Sequence, residues 1–226
     1  SATTAVGTTG VALTVVGSPA TYSACPTGSA AAAGFTDTTS TDVDCIAMYG
    51  ITQGTTATTY SPTDSVPRWA MALYLTRALG PAGGTLGAGV SQGFTDISGK
   101  SAEIILAIDQ IAELGITVGK TATTFAPDDN VTREEMAMFI ERWLENVKAG
   151  PGGQSDADGL VAAATTTYVT SDCAGATACT AKYNYTDIDA GSVTVEGANA
   201  IKELYDLGIH DGVSATTFNP SSDMTR

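Results

Sequence analysis

The stretch GITVGKTATTFAPDDNVTR at residues 115–133 decides the fold, because it recurs twice more without a gap. The other copies read GITQGTTATTYSPTDSVPR at 50–68 and GIHDGVSATTFNPSSDMTR at 208–226. Each copy has Gly-Ile-x-x-Gly, Ala-Thr-Thr, an aromatic residue, a proline two residues later, and an arginine 18 positions after the first glycine. Such self-similarity indicates a repeat architecture, in which each unit completes its core against its neighbours.

A first helix is predicted upstream of each block, after an aromatic-Thr-Asp tripeptide. The tripeptides are Phe35-Thr36-Asp37, Phe94-Thr95-Asp96 and Tyr185-Thr186-Asp187. Apolar residues then recur at the spacing of one helix face, and in copies two and three they are Ile104, Ile108, Ile111, Leu114, Ala200, Ile201, Leu204 and Leu207. Gly115 and Gly208 stand where a helix stop belongs. The helix of copy one is shorter, because Phe35 lies 15 residues before its glycine, against 21 and 23 in the others.

A second helix is predicted after the arginine of copies one and two. An i, i+3, i+4 stripe supports it, formed by Met71, Tyr74, Leu75 and Leu79 in copy one and by Met136, Phe139, Ile140 and Leu144 in copy two. Gly80-Pro81 and Gly150-Pro151 are stop signals. Thr132 and Glu135 form a predicted capping box, whereas Pro67 removes the capping hydroxyl in copy one.

The chain therefore divides into copies and connecting segments. We predict an N-terminal extended segment with a strand at 9–16, copy one, a Gly-rich linker, copy two, an insertion, and an incomplete copy three; their ranges are 1–34, 35–80, 81–93, 94–150, 151–184 and 185–226. Copy three reaches Arg226 without a second helix. We expect residues outside this sequence to cover its apolar face at Ile201, Leu204 and Leu207.

The composition excludes several classes of partner. Among the 226 residues, 24 acidic side chains against 10 basic ones give a formal charge of −14. This charge argues against nucleic acid and against an anionic membrane surface, because both are bound through Lys and Arg. No apolar run is long enough to span a bilayer.

The cysteines form two local groups, Cys25 with Cys45 and Cys173 with Cys179. Neither group has the Cys-x-x-Cys spacing of a zinc site, so we predict these two disulfides and an extracellular, oxidising location.

The repeated pattern resembles S-layer homology repeats, whose signature is F-x-D, a helix, GI-x-x-G, F-x-P and I-T-R-x-E before a second helix. Copy two carries all of it as FTD, GITVG, FAP and VTREE. The resemblance implies a mainly α, pseudo-threefold helical module with a short β-containing segment at its N-terminus. It also implies a non-enzymatic cell-surface protein that binds anionic cell-wall polysaccharide.

The resemblance points to one arginine and one glycine in each copy as glycan-binding residues. They are Arg68, Arg133, Arg226, Gly54, Gly119 and Gly212. A guanidinium fork at a helix start suits a carboxylate. The alternative role of the arginines is a solvated charge at a helix start or a salt bridge to a neighbouring copy, for example to Asp37, Asp96 or Asp187. For the glycines, a turn with positive φ is the favoured alternative. Arg68 is the weakest candidate, because Pro67 and Trp69 depart from the pattern.

The remaining candidates indicate no catalytic centre, metal site or cofactor. His210 follows Asp206 by four residues, but no nucleophile accompanies them, so a polar residue at a helix end is the better interpretation. Residues 155–159 have oxygen ligands at a calcium-like spacing but lack the closing glutamate, and they are interpreted as an acidic linker. Trp69, Trp143 and the eight tyrosines are candidates for stacking on sugars, but Trp143 lies on an apolar stripe and is predicted to pack in the core.

Two function classes remain open at this stage. The first is an anchor that binds cell-wall polysaccharide. The second is a structural subunit of an extracellular assembly, such as a surface lattice, a filament or a virus-particle shell. The second class predicts a homo-oligomer whose partners are copies of itself or other subunits.

Overall fold

The computed structural model describes Cys25 and residues 30–147, 185–188, 191–206 and 209–226. Its helices are α1 Thr41–Met48, α2 Arg68–Leu79, α3 Ala102–Glu113, α4 Arg133–Leu144 and α5 Val195–Asp206. Within these ranges β pairing is confined to isolated bridges, so the mainly α prediction is confirmed. None of the helices described is long and apolar enough to cross a membrane. The strand predicted at 9–16 lies outside the described residues.

The helix ends follow the local signals of the sequence. At the start of α4, the Thr132 hydroxyl accepts a hydrogen bond from the Glu135 N–H at 3.2 Å, and the Glu135 carboxylate accepts one from the Thr132 N–H at 3.1 Å. The predicted capping box is thus confirmed, whereas α2 starts after Pro67 without a side-chain cap. Just beyond the end of α3, Gly115 takes a φ of 74° and its N–H donates to the Ala112 carbonyl at 3.0 Å. A left-handed residue of this kind is the usual glycine helix stop.

The second helix of each copy packs on the first helix of the next copy. The close helix pairs are α2 with α3 and α4 with α5. One apolar cluster lies around the first pair and includes Leu75, Ile108, Ile111 and Phe125. A second cluster lies around the second pair and includes Leu79, Leu144, Ile201, Leu204 and Phe218. The core is therefore continuous across copies, as expected of a repeat protein.

The expected cover for copy three is supplied from within the chain. Ile201 and Leu204 are 0% and 2% exposed and pack with Leu144 of α4. The expectation that outside residues cover them is therefore wrong. The reason is that α4 packs closely on α5 of copy three, while its Phe139 also reaches the cluster around α2 and α3. Trp143 is partly buried and packs against both clusters, with its Nε1 donating to the Leu75 carbonyl at 3.0 Å, so its core role is confirmed.

A closed ring of backbone hydrogen bonds joins the three copies ahead of their arginines. The Val66 N–H donates to the Met224 carbonyl at 2.8 Å, Met224 donates to Val131 at 2.8 Å, and Val131 donates to Val66 at 2.9 Å. These residues occupy the same position in each copy, two residues before the arginine. The ring gives the chain a pseudo-threefold centre and places each arginine at a seam between copies.

The segment 81–93 lies along α3, and side chains of that helix bind its backbone. The Glu113 carboxylate accepts a hydrogen bond from the Gly89 N–H at 2.8 Å, and the buried Asp109 carboxylate accepts one from the Gln92 N–H at 2.9 Å. These bonds satisfy backbone N–H groups that would bind water if the linker did not contact the helix. The Gly-rich composition therefore permits close approach to α3 as well as connecting the copies.

The disulfide Cys25–Cys45 is present, with a Cα–Cα distance of 5.8 Å, and confirms the first predicted pair. It ties Cys25 to α1, which has 8 residues against 12 in α3 and α5 and so is the predicted short helix. Cys173 and Cys179 lie outside the described residues, as do Leu207, Gly208 and Gly150-Pro151.

Candidate functional site

Each aspartate of the aromatic-Thr-Asp tripeptides holds the aromatic-x-Pro loop of its own copy. In copy two, Asp96 accepts hydrogen bonds from the N–H groups of Phe125 at 2.9 Å and Ala126 at 2.7 Å. Although burial opposes it, these bonds hold the pKa of Asp96 below its usual value. The same pair of bonds joins Asp37 to Tyr60 and Ser61, and Asp187 to Phe218 and Asn219. The aspartates therefore fix the loops that the arginines reach.

The second glycine of each Gly-Ile-x-x-Gly turn is required by both conformation and space. Gly54, Gly119 and Gly212 have φ values of 75°, 79° and 77°. A Cβ atom at Gly119 would lie 2.6 Å from the Phe94 ring, and one at Gly54 would lie 2.5 Å from the Phe35 ring. The alternative interpretation, a turn that needs positive φ, is therefore confirmed. Two of these glycines also line the grooves described below.

Arg68 and Arg133 each reach from their own copy to the aromatic-x-Pro loop of the next. The Arg68 Nε donates to the Phe125 carbonyl at 2.8 Å, and the Arg133 Nε donates to the Phe218 carbonyl at 2.7 Å. Each guanidinium also lies over the ring of the same aromatic residue, with 4.8 Å and 4.6 Å to the ring centroids. Cation–π contacts of this kind contribute most where water is excluded. Both arginines therefore stabilise seams between copies.

The predicted salt bridge to a neighbouring copy is present for Arg68, whose Nη1 lies 3.4 Å from the Glu135 carboxylate. The Nε atoms of Arg68 and Arg133 donate to carbonyl oxygens instead. Among the described residues, no arginine of the three forms an ion pair with Asp37, Asp96 or Asp187. The aspartate instead binds the N–H of the loop residue whose carbonyl the arginine binds. Burial lowers the pKa of Arg68, while the carboxylate of Glu135 opposes the shift.

Arg226 differs from its two counterparts. Its backbone N–H donates to the Asp64 carbonyl at 3.1 Å, the same seam bond that Arg68 makes to Asp129 at 2.9 Å. Its side chain, however, donates from Nη1 to the Tyr74 hydroxyl, and its Nε is buried without a hydrogen-bond partner among the described residues. Among the described residues, the guanidinium of Arg226 therefore forms a hydrogen bond from Nη1 but none from Nε.

Two solvent-open grooves lie at equivalent seams, each between a Gly-Ile-x-x-Gly turn and the second helix of the same copy. We name groove 1 the cleft of about 350 Å³ lined by Gln53, Gly54, Thr55, Trp69, Ala70, Leu73, Tyr74, Arg77 and Arg226. Groove 2 is the cleft of about 200 Å³ lined by Arg68, Thr117, Val118, Gly119, Glu135, Met138, Phe139, Arg142, Thr194 and Glu196. The arginine of the preceding copy in the ring lies in each groove.

The charges in groove 2 are balanced within the chain. Glu135 lies 3.4 Å from the Arg68 Nη1 and also pairs with Lys120. Arg142 donates from Nε to Glu196 on α5 at 3.0 Å. Groove 2 thus presents two arginines together with two carboxylates.

Groove 1 lacks this balance. The position of Glu135 is taken by Ala70, and the position of Lys120 is taken by Thr55. Arg77 pairs with Glu103 of α3 at 2.7 Å, but no carboxylate is among the described residues that line the groove. Trp69 and Tyr74, both half-buried, also line it. Groove 1 therefore combines one arginine, Arg226, that has no carboxylate partner among the described residues with two aromatic side chains.

His210 lies in a turn, since α5 ends at Asp206, and not on a shared helix with that residue. Its Nε2 lies 2.8 Å from the Ile201 carbonyl and its Nδ1 lies 3.2 Å from the Gly212 N–H, which together assign a neutral ring with the proton on Nε2. Burial lowers its pKa. Thr117 accepts the equivalent bond from Gly119 at 3.2 Å in copy two, so His210 holds the turn of copy three in the same way.

In the described part of the chain, no group of three or more His, Cys, Asp or Glu side chains is arranged to hold a metal ion. The calcium-like stretch 155–159 lies outside the described residues.

The sequence identifies the arginines, the glycines and, among its stacking candidates, Trp69 and Tyr74, but not the other groove residues. Trp69 departs from the pattern of the other copies, and it lines the larger of the two grooves. One difference between the grooves is visible in the sequence. Ala70 and Glu135 occupy the same position in copies one and two, but only Glu135 is charged. The sequence does not show that Arg226 and Ala70 line the same groove, because that follows from the ring of backbone hydrogen bonds.

The comparison with protein families finds the S-layer homology domain in two segments, residues 93–137 and 185–226. The first segment covers copy two as far as the first turns of α4, and the second covers copy three; copy one lies outside both. Domains of this family indicate attachment to the cell wall. The two segments therefore indicate a protein associated with the cell surface.

Among curated proteins, an endoglucanase of Bacillus sp. (strain KSM-635) is 31% identical over 176 residues. The aligned stretch covers 76% of this chain and 15% of the endoglucanase. The chain thus corresponds to a small part of that relative.

Proposed function

We propose that this chain is a non-enzymatic, extracellular attachment module that binds an anionic cell-wall polysaccharide in the grooves between its copies. The observation that carries the proposal is the placement of an arginine in each of two open grooves of a chain whose formal charge is −14. Positive charge is scarce in this sequence, so its concentration at the seams favours an anionic ligand. The two S-layer homology segments support the same function.

The groove chemistry suits a sugar with an acidic substituent. A guanidinium fork binds carboxylates through two parallel hydrogen bonds, and aromatic side chains offer a flat surface for a sugar ring. Gly54 and Gly119 line the two grooves, so a bound sugar would lie beside the backbone of each turn. The disulfide Cys25–Cys45 is in keeping with an oxidising, extracellular location.

The three arginines are proposed to contribute unequally. Arg68 is 3% exposed and fully engaged by Phe125 and Glu135, so its role is mainly at the seam. Arg226 is partly buried and lines groove 1, whereas Arg133 is partly buried and lines neither of the two grooves, so Arg226 is proposed as the main glycan contact. Gly212 supports the turn beside Arg133.

The test is co-sedimentation with Bacillus cell walls stripped of protein. We expect the chain to be retained, and we expect carbodiimide–borohydride reduction of the wall carboxyl groups to abolish retention. Arg226→Ala should weaken retention about tenfold, since a charged hydrogen bond contributes about 1.5–3 kcal/mol. Lys100→Ala is the matched control, because Lys100 pairs with Asp128 outside both grooves. Failure of the unaltered chain to bind any wall preparation would refute the proposal.

The similarity to an endoglucanase is proposed to reflect a shared attachment segment, because it covers 15% of that protein. We therefore expect the chain to release no reducing sugar from carboxymethyl cellulose under conditions in which a characterised endoglucanase does. The assembly role is not proposed, since the uncovered face of copy three that favoured it is covered by α4.

A further inference from the structure

We infer that His210 is an acid-sensitive latch on the seam between copies two and three, which holds that seam closed while its ring is neutral and loosens it once the ring is protonated. His210 is the only histidine of the chain, and it stands where copies one and two have Thr52 and Thr117. The latch belongs to the fold, so it does not depend on the proposed wall attachment.

The residue at this position closes the Gly-Ile-x-x-Gly turn in all three copies. In copies one and two, a threonine hydroxyl accepts a hydrogen bond from the N–H of the second glycine of the turn, at 3.2 Å in both. In copy three, the Nδ1 of His210 accepts this bond from the Gly212 N–H, also at 3.2 Å. A hydroxyl accepts at any ordinary pH, whereas Nδ1 accepts only while it carries no proton. Acid can therefore remove the turn bond of copy three alone.

Both ring nitrogens of His210 are engaged in the neutral form. The Nε2 donates to the Ile201 carbonyl on α5 at 2.8 Å, which leaves Nδ1 as the acceptor. A second proton would lie on Nδ1 and point at the Gly212 N–H, so that two donors would face each other. The Tyr185 hydroxyl, 3.5 Å from Nδ1, is at the limit of hydrogen-bond reach. Protonation thus costs the turn its closing bond.

The Phe218 ring connects His210 to the seam. The ring centroids of His210 and Phe218 are 4.9 Å apart. The Arg133 guanidinium lies 4.6 Å from the same Phe218 centroid, and the Arg133 Nε donates to the Phe218 carbonyl at 2.7 Å. A charged imidazole would bring a second cation to the residue that Arg133 binds, and like charges repel. In copy two, Arg68 lies over Phe125 in the same way, but an uncharged threonine takes the histidine position.

The surroundings of the His210 ring favour its neutral form on balance. Burial and the positive charge of Arg133 oppose protonation, whereas the carbonyl bound by Nε2 and the carboxylate of Asp211 favour it, and the net result is a lowered pKa. Because the folded protein has the lower pKa, the latch is closed above pH 6.5 and loosens as the pH falls below this value.

Other titratable side chains lie on the elements packed around the ring. The rings of Tyr185 and Tyr205 lie 6.0 Å and 5.9 Å from that of His210, and burial raises the pKa of Tyr185 to about 12. Asp187 binds the Phe218 N–H at 2.9 Å. On α5, Glu203 is buried next to Lys202 in the sequence, and burial raises the pKa of Glu203 to about 7. Its protonation stabilises the fold as the pH falls, which is opposite in sign to the effect of His210.

The first test observes the ring directly. Long-range proton–nitrogen magnetic resonance spectra of the full chain, prepared without a histidine tag, contain the signals of a single imidazole. We expect the proton on Nε2 at pH 7.5 and a titration midpoint below 6.5. A ring that carries its proton on Nδ1, or that titrates at or above pH 6.5, would overturn the inference.

The second test measures the seams by amide hydrogen exchange, corrected for the intrinsic exchange rate. Two equivalent N–H groups bridge each seam, those of Arg133 and Glu134 between copies two and three and those of Arg68 and Trp69 between copies one and two. The reference is His210→Thr, which introduces the residue of copy two and leaves Glu203 in place.

The comparison is the ratio of parent protection to His210→Thr protection at each pH. Between pH 7.5 and pH 5 this ratio should fall about fivefold at Arg133 and Glu134, because the parent loses a hydrogen bond. At Arg68 and Trp69 it should stay constant. If His210→Thr does not fold, His210→Gln replaces it, since the glutamine amide is neutral and can both donate and accept. A constant ratio at both seams, or an equal fall at both, would overturn the latch.

Discussion

Replacing Glu203 by glutamine tests how a buried carboxylate affects the packing of α5 on α4. Glu203 is 4% exposed, and its Oε2 has no hydrogen-bond partner within the described part of the chain. Burial, together with the nearby carboxylates of Glu141 and Glu145, raises its pKa to about 7 from a usual value of 4.5. Each unit of such a difference corresponds to about 1.4 kcal/mol, so the ionised form costs about 3 kcal/mol of folding stability above pH 7.

The sign of the pH dependence follows from the raised pKa. The folded state retains the Glu203 proton longer than the unfolded state, so this contribution to stability is fully present below pH 4.5 and is lost as the pH rises to about 7. Glu203→Gln keeps a neutral side chain of similar size at every pH. We therefore expect the variant to be more stable than the parent by about 3 kcal/mol at pH 8, with the difference shrinking toward pH 4.5.

The assay is urea unfolding with the disulfide intact, followed by circular dichroism at several pH values between 4.5 and 8. The control is Glu103→Gln, because the Glu103 side chain is 65% exposed and its ion pair with Arg77 is of the surface kind that contributes little. A difference between parent and Glu203→Gln that stays constant across this range would refute the reasoning, since the pKa of the carboxylate would then be ordinary.

Three further predictions concern the turns and loops. Ala126→Gly should raise the free energy of unfolding by about 1 kcal/mol, because Ala126 has a φ of 55°, and Asn219→Gly should gain less, since asparagine tolerates this region; chemical unfolding measures both. Gly119→Ala should destabilise far more than Gly115→Ala, because both have positive φ but only Gly119 lacks room for a Cβ atom, and comparable melting temperatures would contradict this. The lowered pKa of His210 predicts stability that is present above pH 6.5 and lost as the pH falls below it, and His210→Thr should flatten that dependence in unfolding curves.

The helices were predictable because periodicity and end signals are local. The stripe of α2, the capping box of α4 and the glycine stop of α3 depend on residues within a few positions of each other, so they were read from the sequence. What each stripe packs against was not predictable in the same way. The α4 stripe is divided: Phe139 packs in the cluster around α2 and α3, whereas Leu144 packs with Ile201 and Leu204 of copy three.

The site was only partly predictable for the same reason. Residue type and spacing identified the arginines and glycines, and they placed the glycines correctly in turns of positive φ. Arg68 and Arg133 each donate to a main-chain carbonyl of the next copy. Every residue has a carbonyl, so the sequence does not identify the acceptor. Alignment showed that Ala70 and Glu135 correspond, but only the order of the ring shows which arginine each one faces.

The ring also determines which substitutions can report on binding. Arg68 and Arg133 each join two copies through a charged hydrogen bond and an aromatic contact, so removing either one loosens a seam as well as a groove. Loss of wall retention in those variants would not distinguish a missing ligand contact from a displaced loop. The Arg226 side chain makes no such bond to a loop carbonyl, and its Nε has no hydrogen-bond partner among the described residues, so its replacement disturbs a seam least. Comparing Arg226 with Arg68 and Arg133 therefore separates, within one chain, the structural role of the arginines from their role in binding.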